Sequence, residues 1–206
     1  MDIKSLRDYL LREIWRGSTV LVEYPSNYSI GDFVWGTLLP SIPEGEQVIV
    51  DDFFGIGDLT FRNYLRKESG ERYRALLDAI RNIKLIKIGP GRGSYGTVIN
   101  EIPLTYDTQE FMDRYYSCLK RLVTEFGKPA YFFTFGLAEY LYFGGEKAIR
   151  TILTLQSVLP IEDWTSIYFI NGNLMDPRHL AILEEISSSV LEISLSGESV
   201  DVVIKK

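Results

Sequence analysis

Apolar and polar positions alternate along this chain in blocks that predict strands and helices in turn. Ile3, Leu6, Leu10 and Ile14 recur at helical spacing within Asp2 to Arg16, predicting a surface helix that packs by one stripe and stops at Gly17. Thr19 to Tyr24 follows as a strand apolar on both faces, the pattern of a strand in the middle of a parallel sheet. From Ser29 a helix is predicted through Phe33, Val34, Leu38 and Leu39, closed by Pro40 and Pro43. A second strand, Gln47 to Phe53, ends in the paired acids Asp51 and Asp52, and after Gly55-Ile56-Gly57 come helices over Asp58 to Lys67 and Glu71 to Asn82. Ile83 to Ile88 is the third strand.

The second half repeats the alternation. Asp107-Thr108-Gln109-Glu110 is a capping box, and Phe111, Tyr115, Leu119, Leu122 and Phe126 continue the helix to Gly127. Pro129 to Phe135 is a strand, Leu137 to Phe143 and Glu146 to Leu159 are helical pieces split by Gly144-Gly145, and Trp164 to Ile170 is a strand leading into Asn171-Gly172-Asn173. Asp176-Pro177 opens a helix to about Ser188, and Val190 to Leu195 with Ser199 to Ile204 forms an antiparallel hairpin. The expected fold is therefore α/β, one domain over residues 1–206, with a mostly parallel sheet, helices on both faces and antiparallel hairpins at one edge. Ligands of such sheets bind beyond the carboxyl ends of the strands, which directs attention to the turns after Tyr24, Phe53, Phe135 and Ile170.

Composition narrows the function classes. Acids outnumber bases 28 to 22 in 206 residues, a net charge of -6 with no basic run, which opposes nucleic acid and anionic membranes as partners. Cys118 is the only cysteine, so no internal disulfide or multi-thiolate zinc site is available and a reducing, cytoplasmic setting is expected. Cys118 falls among the core positions of its helix and reads as a small buried hydrophobe. The sole histidine, His179, has no cysteine or acid cluster beside it and reads as a surface or packing residue.

Two glycine-bearing turns invite a phosphate reading. Gly91, Gly93 and Gly96 have dinucleotide-binding spacing, yet Thr97 to Pro103 alternates like a strand where that motif needs a helix, so a mobile turn into a hairpin or edge strand is expected. The window Ser26-Asn27-Tyr28-Ser29-Ile30-Gly31-Asp32-Phe33 keeps only the second glycine of a P-loop, with Asp32 where lysine belongs and Phe33 where a metal-binding hydroxyl belongs. Ser29 and Asp32 also have capping-box spacing, so a structural cap that places a carboxylate where a phosphate would sit is expected.

Val20 to Tyr24 and its turn, Val48 to Asp52, Tyr131 to Phe135, Ile167 to Asn173, and Leu183 to Ile186 running into Val190 to Ile193 together resemble the core of RecA and KaiC-like ATPases. The chain is similar in particular to a family of small archaeal proteins of unknown function related to them. The resemblance implies a water-activating acid at Asp52 and a phosphate-sensing residue at Asn171 or Asn173, while Phe135 and Gly136 stand where it implies a magnesium-organising aspartate. With that acid, the lysine and the hydroxyl absent, ATP hydrolysis lacks the groups that stabilise its transition state. Asp51 and Asp52 are then expected as strand-end acids facing water.

The leading expectation is a noncatalytic interaction or regulatory protein on a degenerate ATPase-type fold, a homodimer or partner-binding protein, with no cofactor, no metal and no catalytic residue. A first alternative binds a nucleotide or phosphate ligand in another pose, with Ser26, Asn27, Ser29, Gly31, Asp52, Arg92, Asn171 and Asn173 as candidate ligand-binding residues. A second is an enzyme on a relocated acidic site of Asp51, Asp52 and Asn171. Tyr140 to Phe143, flanked by Glu139 and Glu146, is a helix face or a contact surface.

Overall fold

The computed structural model describes residues 1–159, 163–197 and 199–206. Among the described residues eight strands form one sheet: β1 Thr19–Tyr24, β2 Val48–Phe53, β3 Ile83–Ile88, β4 Thr97–Ile102, β5 Tyr131–Phe135, β6 Thr165–Asn171, β7 Ser189–Ser196 and β8 Ser199–Ile204, in the order β4-β3-β2-β5-β6-β1-β7-β8. Every neighbouring pair is parallel except β7 and β8, whose antiparallel hairpin closes one edge. At the other edge β4 runs parallel to β3, so of the two outcomes for Thr97 to Pro103 an edge strand forms and a hairpin does not.

Helices divide between the two faces in chain order. One core joins the sheet to α1 (Ile3–Asp8), α2 (Ile30–Phe33), α3 (Ile56–Leu65) and α4 (Gly70–Ala79); the other joins it to α5 (Thr108–Phe126), α6 (Leu137–Val158) and α7 (Pro177–Ile186). Strand residues obey the two-residue pleat: Val48 and Val50 enter the first core and Ile49 and Phe53 the second, as Phe133 and Phe135 enter the first and Phe132 the second. Half of the expected capping box of α5 forms: Asp107 accepts a hydrogen bond from the Glu110 amide at 2.8 Å, while the Asp107 amide donates to Thr105 Oγ1 at 3.1 Å instead of to the Glu110 side chain. Asp176 caps α7 ahead of Pro177 as its sequence implies.

Three segments depart from regular periodicity. The first predicted helix turns π-helical over Tyr9–Glu13 and ends before Arg16, and the helix after the first strand is four residues of α-helix followed by a π-helical turn, Val34–Leu38. Trp35, within that turn, is buried at 0% exposure, and its Nε1 donates to Thr60 Oγ1 at 3.1 Å. The pieces expected on either side of Gly144-Gly145 are one helix, α6, bent at Gly145 with φ 52° and ψ -134°.

The glycine-rich stretch is the connection between β3 and β4. It returns along the sheet face without a helix, so its backbone lies directly on its neighbours. A Cβ on Gly93 would meet Leu85 at 2.7 Å and Val98 at 2.8 Å, and one on Gly91, at φ +144°, would meet Gly55 Cα at 2.7 Å. The nucleotide-like spacing of these glycines follows from this close packing, and the turn is held against β3 where a mobile one was expected.

Candidate functional site

The carboxyl ends of β1, β2, β5 and β6 share one edge of the sheet, and the turn after β1 begins with Pro25 and Ser26. The Tyr28 amide donates to Pro25 O at 2.9 Å, the Ile30 amide to Tyr28 O at 3.1 Å and the Asp32 amide to Ser29 O at 3.0 Å. The Ser26 amide donates to Asn173 Oδ1 at 2.7 Å, and the Ser26 hydroxyl to Asn171 Oδ1 at 3.1 Å, an oxygen that also accepts from the Asn173 amide. Ser26, Asn171 and Asn173 are therefore brought together, as a lock between β1 and β6. Four donors of the kind that a phosphate turn aims at its ligand, the amides of Ser26, Tyr28, Ile30 and Asp32, are here bonded within the chain.

The expected capping box at this turn does not form. Ser29 caps no amide with its side chain, and the Asp32 carboxylate points away, into an ion pair with Lys67 Nζ at 3.2 Å. Both partners are about half exposed, so the pair adds little stability. Closure comes instead from backbone carbonyls and the two asparagines, because a helix of only four residues before a π-helical turn offers no long dipole for a carboxylate to cap. Asn27 and Ser29 are exposed on the turn. Gly31 is buried against α3, where a Cβ would sit 3.0 Å from Thr60 O, so its glycine serves helix packing.

Aromatic rings fill the next layer. Phe33 is 1% exposed, and Phe135 stacks with Trp35 at 5.6 Å and with Phe169 at 5.1 Å. Gly136 follows with φ +73°, and a Cβ there would lie 2.3 Å from Phe53 O, leaving no place for an aspartate side chain. Trp35, Phe61 and Tyr95 continue this cluster edge to face.

Asp51 and Asp52 do not face water. They are 5% and 1% exposed, and the strand pleat sends them to opposite faces of the sheet. Asp52 accepts hydrogen bonds from the Gly57 amide at 2.7 Å, the Asp58 amide at 2.9 Å and the Tyr95 hydroxyl at 3.1 Å, so it caps α3. Burial raises its carboxyl to about 6, although those donors pull it down. Asp51 Oδ2 accepts from Tyr115, Oδ1 has no partner, and burial pushes this carboxyl up to about 7. Asp51 lines a cavity of about 20 Å³ with Thr134, Ser166 and Tyr168, away from Asn171 and the turn.

Arg92 is exposed on the crossover, beside Gly55 at the end of β2, and makes no hydrogen bond or ion pair with Ser26 to Gly31 among the described residues. The loop after β2 lies three strands from β1, so the candidate set does not converge on one centre. His179 lies 3.6 Å from Glu146 with its side chain 12% exposed, and Cys118 is buried. Tyr140 is core, whereas Tyr142 and Phe143 are each 65% exposed, with Phe143 packed on Phe54 at the same edge as the turn.

Sequence reasoning missed two groups. Trp35 stands three and four residues before Leu38 and Leu39, so helical spacing was itself the signal that could have found it. Glu23, next to the end of a strand buried on both faces, was the readable signal: its side chain is 6% exposed and pairs with Lys205 at 3.0 Å.

A family model described as Pyrococcus protein of unknown function, DUF257, matches residues 9–206. Among solved structures the chain is similar to a Pyrococcus horikoshii OT3 protein at 22% identity and a TM-score of 0.73, covering 100% of this chain and 92% of that one. An uncharacterized P. horikoshii protein in complex with an unknown peptide matches at 15% identity and TM-score 0.65, covering 100% and 91%. A KaiC-like protein from the same organism matches at 15% and 0.59, covering 97% and 83%. Comparison with curated proteins gives no match. The fold is RecA/KaiC-like, and no helix among the described residues is long and apolar enough to cross a membrane.

Proposed function

Since the chain belongs to that DUF257 family of Pyrococcus proteins of unknown function, we propose that it is a noncatalytic interaction protein, an ATPase-type scaffold whose nucleotide site is closed from within. The observation that carries this reading is the turn after β1: its amides at Ser26, Tyr28, Ile30 and Asp32 are bonded inside the chain. Phe135, stacked between Trp35 and Phe169, stands where the resemblance asks for the metal-organising acid. Asp52, the counterpart of the water-activating acid, is committed to three donors of its own chain and covered by Tyr95. A phosphoryl group entering this edge meets four amides already bonded within the chain, and Lys67, the cation beside the turn, is already paired with Asp32.

What remains at the edge is surface for a partner. One similar P. horikoshii protein was solved in complex with an unknown peptide, and the reading extended to this chain is that the carboxyl edge receives a protein or peptide segment. Exposed Tyr142 and Phe143 supply apolar area there. Calorimetric titration with ATP and magnesium tests the closed site: no saturable heat up to millimolar nucleotide is expected, and micromolar binding overturns the reading.

A further inference from the structure

Glu23 and Glu192 are register partners on the neighbouring parallel strands β1 and β7, so two carboxylates stand side by side on one face of the sheet. Like charges in register are unfavourable unless a cation lies between them. Lys205 supplies one: its Nζ donates to Glu23 Oε2 at 3.0 Å and to Glu184 Oε1 at 2.9 Å, and lies 3.4 Å from Glu192 Oε2. One ammonium thus serves three carboxylates, drawn from β1, β7 and α7. The service is unequal. The hydrogen bond from Lys205 holds the Glu184 carboxyl below its ordinary value, while burial keeps the Glu23 carboxyl above its own despite the same lysine. Glu23 is 6% exposed at its side chain, and its Oε1 has no hydrogen-bond partner.

A pocket of about 270 Å³ opens beside this cluster, lined by Glu23, Glu192 and Lys205 at its acidic end, by Leu180 and Ile193 along an apolar wall, and by Asn173. Asn173 is also the residue that holds the Ser26 amide, so the pocket borders the closed turn.

We propose that this pocket binds a primary ammonium on an aliphatic stem, as the side chain of a lysine in a partner peptide presents it. The inference rests on the interaction reading above and names the chemistry that the partner brings. An ammonium offers three rotatable donors to carboxylates converging from different elements, whereas the flat fork of a guanidinium matches one carboxylate in its own plane. The acidic end already holds a group of this kind in Lys205, and a second ammonium would meet the half-exposed Glu192, with Glu23, whose Oε1 has no hydrogen-bond partner, lining the pocket behind it. The apolar wall suits the methylene stem.

Amide NMR of the full chain during titration with Nα-acetyl-lysine methylamide tests the proposal, with the Nε-acetylated compound as the matched control. Saturable shifts at Glu23, Asn173, Glu192 and Ile193 are expected with the free amine and not with the control. Glu192→Gln, at a half-exposed position that leaves the fold intact, should weaken binding by about tenfold, as loss of one charge-assisted hydrogen bond does. Glu23→Gln should weaken it further. No saturable shift with the free amine, equal shifts with both compounds, or unchanged binding by the Glu192→Gln variant would each overturn the proposal. ATP and magnesium added to the same sample report separately on the turn. Shifts at Ser26 to Asp32 would overturn the closed-site reading, and the lysine result would still decide the pocket.

Discussion

Asp51 and Asp52 are adjacent in sequence and have separate environments. Asp52 is a helix cap on the α3 face, held by two amides and Tyr95, whereas Asp51 lies on the α5 face with a single donor in Tyr115 and one unbonded oxygen. The pH consequence follows from Asp51 in particular. Its folded value of about 7 lies above the ordinary 3.8, so the folded chain holds a proton that the unfolded chain releases. This contribution to stability is complete below about pH 4 and is lost as pH rises through about 7. A shift of that size carries about 4 kcal/mol across the window. Asp51→Asn should therefore flatten the fall in stability between pH 4 and 7, measured by urea unfolding at a series of pH values. An unchanged slope would mean that the carboxyl titrates normally. The pairing of these acids was legible in the sequence, but their burial was not, because strand ends are as often wet as dry and only the covering helices decide.

At the level of elements, the crossover between β3 and β4 shows how glycine spacing can imitate a nucleotide motif. Parallel neighbours need a return path, and this chain makes it with Gly89 to Gly96 instead of a helix, pressing backbone onto backbone and onto strand side chains. Gly91→Ala should cost about 2 kcal/mol or more, since the new Cβ would lie 2.7 Å from Gly55 Cα and 2.8 Å from Gly55 N, contacts that backbone cannot relieve cheaply. Gly45→Ala is the control: its φ is +90° but nothing lies within 4 Å, so about 1 kcal/mol of backbone strain is expected. Thermal unfolding of the two variants compares them, and equal losses would show that the crossover is not closely packed. The turn after β1 teaches the complementary lesson. Ser29 and Asp32 have the spacing of a capping box, but the helix that follows is too short and too quickly π-helical for the box to form.

For the whole molecule, the two faces are built by successive halves of the chain, and the carboxyl ends of β1, β2, β5 and β6 are occupied by asparagine locks, a capped acid and stacked rings. A ligand that binds only the folded state stabilises it with the logarithm of its concentration over Kd and so raises the melting temperature. Millimolar ATP with magnesium should leave the midpoint of thermal unfolding unchanged, and an upward shift that grows with nucleotide concentration would contradict the closed site. The net charge of -6 is not spread evenly, for an acidic excess gathers around Lys205, where the lysine pocket is proposed.

Periodicity and capping signals determined the alternation of strands and helices, the parallel sheet with its terminal hairpin and the caps at Asp107 and Asp176, and the sequence shows no lysine between Ser26 and Phe33. These are local properties: side-chain direction repeats every two or 3.6 residues, and a missing residue type is visible without coordinates. Only the tertiary structure decided that Asn171 and Asn173 bond the turn, that Asp32 turns outward to Lys67, that Trp35 stacks on Phe135, and that Glu23 and Glu192 share one cation with Glu184. Each of these joins residues far apart in the chain. Their energies depend on burial and on partners that no sequence window contains.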